Sequence, residues 1–162
     1  MGIQFNADEI FEMAIKSERN AVKMYGDLAK KHEFPEIRDE MLKLAQMEAD
    51  HANAFVELRR ELPEDMRNTV FDPDNEASMY LKAVADASID EGSPKIAEKM
   101  SGQESLEEIL KTAIELEKQT ILFYLGIKDM VAERLGKDKV DKIIKEEQGH
   151  VVTLTNKLEE LK

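Results

Sequence analysis

Gln46-Met47-Glu48-Ala49-Asp50-His51-Ala52 sets a glutamate and a histidine three residues apart inside a run that otherwise has the pattern of an amphipathic helix. The stripe of that run is Ile37, Met41, Leu44, Phe55, Leu58 and Leu62, with Glu48 and His51 filling the two places between Leu44 and Phe55. Steps of four and three alternate without a break, which is the period of a helix face turned toward a core. A carboxylate and an imidazole are therefore directed inward. A buried carboxylate must be protonated, paired or bound to a metal, because burying it alone is costly. A single Glu-x-x-His can also be a satisfied core histidine beside a glutamate that reaches solvent. Glutamate is 23 of the 162 residues, so one copy decides nothing.

A second copy exists. Glu147 and His150 fall on Glu48 and His51 when the sequence is shifted by 99, and the register runs without a gap through both ends of the chain. Glu9 falls on Glu108, Ile10 on Ile109, Ala14 on Ala113, Ile15 on Ile114, Glu18 on Glu117, Tyr25 on Tyr124, Glu61 on Glu160 and Leu62 on Leu161. Most other positions differ. What the halves share is concentrated on inward positions, including two further glutamates, Glu18 and Glu117.

In chain order, Asn6-Ala-Asp-Glu9 is a capping-box pattern that starts a first helix running to about Lys31. Its stripe is Ile10, Phe11, Ala14, Ile15, Glu18, Ala21, Val22, Tyr25, Leu28 and Ala29, with Glu18 in the middle. Pro35 fits the first position of a second helix, where its missing amide costs nothing, and Pro63 marks the end. So short a gap makes these helices an antiparallel hairpin. Ser105-Leu-Glu-Glu108 is a second capping box, and the third helix carries Leu106, Leu110, Ala113, Glu117, Thr120, Tyr124, Ile127 and Val131. Gly136 separates it from a last helix with Val140, Ile143, Glu147, His150, Leu154, Leu158 and Leu161.

Residues 63–104 hold three of the four prolines and show no trace of the repeat. A helix is expected there from about 73 to 88, capped by Asp72-Pro73, with Met79, Tyr80, Ala83, Val84 and Ala87 on one face and a break at Gly92-Ser93-Pro94. A direct antiparallel turn needs only about 2 to 8 residues, so this stretch is a crossover travelling back along the bundle. The expected fold is one all-α domain, 1–162: a four-helix bundle of two hairpins, 6–62 and 105–161, joined by that crossover. Its apolar face either packs against the outside of the bundle within the chain or stays partly open and pairs across a two-fold axis, and the second arrangement, a homodimer, is the one expected.

The net charge of −12 argues against nucleic acid or an anionic membrane as partner. No apolar run approaches the length of a membrane span, and the start of the chain lacks a signal-peptide pattern, so a soluble, cytoplasmic protein is expected. Without cysteine the chain can form no disulfide, thiolate site or iron–sulfur cluster, and any metal must be held by nitrogen and oxygen. The third histidine, His32, lies near a helix end and is expected to be exposed.

The inward polar set is Glu18, Glu48, His51, Glu117, Glu147 and His150. Four carboxylates would be neutralised by two divalent cations. Imidazole and carboxylate without thiolate suit iron, manganese or zinc, and so oxygen-rich a set favours iron or manganese. So methionine-rich a composition, nine in all, is more often gap-filling core than an oxidant trap.

This constellation resembles the ferritin-like di-iron carboxylate superfamily, in which two helices each give one glutamate and two each give a Glu-x-x-His. The near-symmetric halves are most similar to the rubrerythrin-type domain, and bacterioferritin shares the same six-ligand pattern. The resemblance implies Glu18 and Glu117 as terminal ligands, Glu48 and Glu147 as bridges between two metals, and His51 and His150 as the single nitrogen ligand on each. Tyr25 and Tyr124, two turns beyond the terminal glutamates, can support a ligand by hydrogen bonding or simply fill the core. The implied activity is that of an oxidoreductase reacting with hydrogen peroxide or dioxygen. Two departures stand out. Rubrerythrins proper carry one more glutamate a turn before the third-helix ligand, where this chain has Ile114, with Ile15 at its repeat mate. They also carry a rubredoxin module, absent here, so a separate electron-donor protein is needed. Iron storage or ferroxidase activity, or a bundle with a structural metal, are the alternatives. Against storage, no fifth helix is expected after Leu161, and Ala49 stands where bacterioferritin-type chains place a haem-binding methionine.

Overall fold

The computed structural model describes residues 4–67 and 99–162, together with Asp74, Glu76, Met79, Tyr80 and Ala83. The four expected helices are present: α1 (Ala7–Lys31), α2 (Pro35–Arg60), α3 (Leu106–Lys128) and α4 (Lys137–Glu159). Both capping boxes close. The Asn6 side chain accepts from Glu9 N at 2.9 Å while Glu9 accepts from Asn6 N at 2.9 Å, and Ser105 and Glu108 exchange the same pair of bonds at 3.2 and 2.8 Å. Pro35 occupies the first turn of α2 without a side-chain cap before it.

Three helices stop short of their stripes. Leu62, Val131 and Leu161 lie past the ends of α2, α3 and α4. Leu62 is still buried, and Val131 is buried in an isolated parallel bridge with Phe5, but Leu161 is 47% exposed. Apolar character carries on past the last turn because the cap, not the stripe, decides where a helix ends.

The helices form two hairpins, α1 with α2 and α3 with α4, and α1 also packs on α4. At one end, Arg59 holds Asp8 through two bonds of 2.8 and 2.9 Å, tying the end of α2 to the start of α1. At the same end Gly136 takes φ +94°, and a Cβ there would lie 2.7 Å from Ala7 Cβ. Glycine is required at this turn on both counts.

At the other end, the segment leading into α3 is latched to the α1–α2 turn. Glu33 N donates to Gly102 O at 3.0 Å, and Lys31 Nζ reaches Met100 O. His32 corrects the expectation that it is exposed: it is 1% exposed. Its Nδ1 accepts from Phe34 N at 3.2 Å and its Nε2 lies 2.8 Å from Glu104 O. That pattern fits a neutral imidazole with the proton on Nε2.

The expected crossover falls mostly outside the described residues, as do Val84, Ala87 and the Gly92-Ser93-Pro94 break. Glu76, Met79, Tyr80 and Ala83 are helical. Tyr80 is half-buried with its ring 6.5 Å from that of Phe5, whereas Met79 is 66% exposed.

The core divides in two along the bundle. One part gathers Phe5, Phe11, Phe55, Phe123, Tyr124, Val140 and Ile143; the other gathers Met24, Tyr25, Leu28, Met41, Leu44, Ile109 and Leu154. Between them lies a polar layer.

Candidate metal centre

Each of the four helices contributes to that layer at the middle of its stripe. Glu18 on α1 sits between Ile15 of one apolar cluster and Ala21 of the other, and Glu117 on α3 sits between Ala113 and Phe123 in the same way. On α2 and α4 the three-residue spacing puts Glu48 above His51 and Glu147 above His150 on one face. The structure thus brings all six sequence-identified side chains together.

Glu18, Glu48, Glu117, Glu147 and His150 are each no more than 3% exposed. His51 Nδ1 lies 3.5 Å from Glu18 and 4.0 Å from Glu147. His150 Nδ1 lies 2.6 Å from Glu117, 3.6 Å from Glu48 and 3.8 Å from Glu147. The two imidazoles stack with ring centroids 3.5 Å apart and planes inclined by 23°. Three overlapping groups bring one ligand atom each within 4.8 Å of one another: Glu18, His51 and Glu147; Glu117, Glu147 and His150; Glu48, His51 and His150. Each of the first two joins Glu18 or Glu117 to the histidine of its own hairpin and also uses Glu147.

Electrostatics make this layer costly without a cation. Burial drives the Glu18 carboxyl up, but the close approach of His51, then of Glu48 and Glu147, outweighs it and holds the group below the ordinary range. Burial pushes the His150 imidazole down to about 4, with the neighbouring His51 adding to the fall and Glu18 opposing it. The nitrogens of His150 and Nδ1 of His51 are buried and make no hydrogen bond of acceptable geometry among the described residues. Buried polar atoms are ordinarily satisfied. Buried imidazole nitrogens that converge with carboxylates within a few ångströms yet lack a hydrogen bond of acceptable geometry are what a cation between them would satisfy, so the donor set fits metal.

Tyr25 and Tyr124 are buried, but in different apolar clusters. The repeat, run in opposite directions through the bundle, sends them to opposite sides of the polar layer. Tyr124 packs edge-on against Phe123, with centroids 5.4 Å apart. Ile15 and Ile114 are buried in the apolar clusters, so no additional carboxylate enters the layer from those positions. Thr120, one turn beyond Glu117, is also buried at 2% exposure. It was visible in the sequence as a polar residue on an inward stripe, and its repeat mate is Ala21.

Among the described residues, no helix is long and apolar enough to cross a membrane. No curated protein gives a significant match. A solved structure of a ferritin-like diiron-carboxylate protein from Thermotoga maritima is similar, with 22% identity, a TM-score of 0.56 and full coverage of both chains, a likeness of fold. The rubrerythrin family model matches residues 9–158, nearly the whole chain and both Glu-x-x-His segments. Four helices, two such segments and a match of this extent agree: the chain belongs to the rubrerythrin family.

Proposed function

We propose that Glu18, Glu48, His51, Glu117, Glu147 and His150 hold two iron ions and that the protein is an oxidoreductase that reduces hydrogen peroxide or dioxygen. The observation that supports this most is the convergence of four buried carboxylates on two imidazoles, of which both nitrogens of His150 and Nδ1 of His51 are buried without a hydrogen bond of acceptable geometry among the described residues. Oxygen-rich donor sets suit iron and manganese over copper(I). Held there, two ferrous ions would supply the two electrons that, with two protons, convert hydrogen peroxide to two waters.

The protein's own share is binding and exclusion. Glu18 and Glu117 would each hold one ion, Glu48 and Glu147 would be shared by both, and His51 and His150 would each give one nitrogen. The apolar clusters on either side keep bulk water from the layer. Tyr25 and Tyr124 stand in the apolar clusters on opposite sides of the layer. The electrons come from a separate one-electron donor protein, since a chain without cysteine has no iron–sulfur carrier of its own. A second copy of the chain is the remaining partner in this reading.

Stopped-flow mixing of the ferrous-loaded protein with peroxide tests it. Oxidation is expected to be much faster than that of free ferrous iron in the same buffer. An equal rate would remove the enzymatic reading, and retention of many irons per chain in a large particle would replace it with storage.

A further inference from the structure

The repeat makes the two halves of the centre look interchangeable, yet they differ in access. The His51 side chain is 14% exposed and that of His150 3%. Their surroundings differ in the same direction. Within 4.0 Å, His51 Nδ1 meets carboxylate oxygens of Glu18 and Glu147, whereas His150 Nδ1 meets those of Glu117, Glu48 and Glu147. The Phe55 ring, itself fully buried, stands 5.7 Å from that of His51. The His150 ring is stacked beneath, so the partly wet imidazole lies over the dry one.

We infer that the Glu18–His51 position is the exchangeable half of the centre, through which a divalent cation enters and leaves past the His51 ring, while the Glu117–His150 position is closed and empties only after it. A cation at the outer position has its imidazole farther from the carboxylates, 3.5 and 4.0 Å against 2.6, 3.6 and 3.8 Å at His150, and water at its edge. One at the inner position must wait for its exit to clear. The inference rests on the reading of these six side chains as a two-cation site, and not on redox chemistry.

Cobalt(II) is a suitable probe because its visible absorption reports binding without any turnover. Protein carrying two equivalents is mixed with excess chelator. Two phases of one equivalent each are expected, with rates separated by roughly 10-fold or more, the scale on which a ligand's surroundings alter metal binding. His51→Ala should remove the fast phase and speed release of the remaining equivalent, since the covering ring is gone. His150→Ala should keep the fast phase and lose the slow one. Circular dichroism checks that each variant folds, and if one does not, the two rates of the native protein decide. Release of both equivalents at a single rate overturns the inference while leaving the two-cation reading intact. Binding of fewer than two cobalt ions sinks both. Failure to react with peroxide would sink only the proposed enzymatic function.

Discussion

At the scale of single residues, burial governs how the centre responds to pH. The His150 imidazole titrates at about 4 in the folded chain and near 6.5 when unfolded. Above 6.5 both states are neutral and the group has no effect. As pH falls from 6.5 to 4 the unfolded chain takes up a proton that the folded one refuses, so metal-free protein loses stability through that window, about 3 kcal/mol in all. Glu18 acts in the same sense lower down, since its depressed folded value favours the native state above the ordinary 4.5 and that advantage is lost on acidification. Urea midpoints of the metal-free protein should therefore drop between pH 7 and pH 5, and a flat profile would show that His150 is not held in its buried, neutral form. The inward placement of the six polar residues was legible because each interrupts an apolar stripe at the correct step. The burial of His32 was not, because the carbonyl that receives it belongs to Glu104, far away in sequence. Nor could the sequence separate His51 from His150, since the repeat presents them as equals.

At the scale of elements, helix starts were readable and helix ends less so. Asn6 and Ser105 announce their helices through side chains that bond the backbone three residues on, a local signal. Leu62, Val131 and Leu161 misled because an apolar residue can lie on the continuation of a stripe after the backbone has left the helix. Two glycines give contrasting tests of the same element. Gly136→Ala puts a Cβ 2.7 Å from Ala7 Cβ at a backbone with φ +94°, and should destabilise by about 1 to 3 kcal/mol. Gly149→Ala lies within α4 with nothing within 4 Å of the new atom, and should stabilise by roughly 0.5 to 1 kcal/mol. Thermal or chemical denaturation measures both. If the two changes had the same sign, the tight approach of α4's first turn to α1 would not be the constraint described.

For the whole molecule, the bundle of two hairpins followed from stripe and spacing, whereas the route of the chain between them had only composition to go on. The proposed homodimer is best tested where the expected crossover face is exposed. Met79→Glu should yield a folded monomer on size-exclusion chromatography with metal content unchanged. Tyr80→Glu, against Phe5, should instead lower stability by placing a charge beside a buried ring. A native protein that runs as a monomer, or a Met79→Glu dimer, removes the interface. The groups that join Glu18 and His51 to Glu147, and His51 to His150, each draw on both hairpins. In the living cell the chain is made from its amino end, so α1 and α2 can pair while the last donors are still to be synthesised. Glu147 and His150 arrive with α4, and until that helix docks there is no complete coordination shell to fill. A divalent cation held by donors of both hairpins would thus report on closure: it could be retained only after α4 has docked.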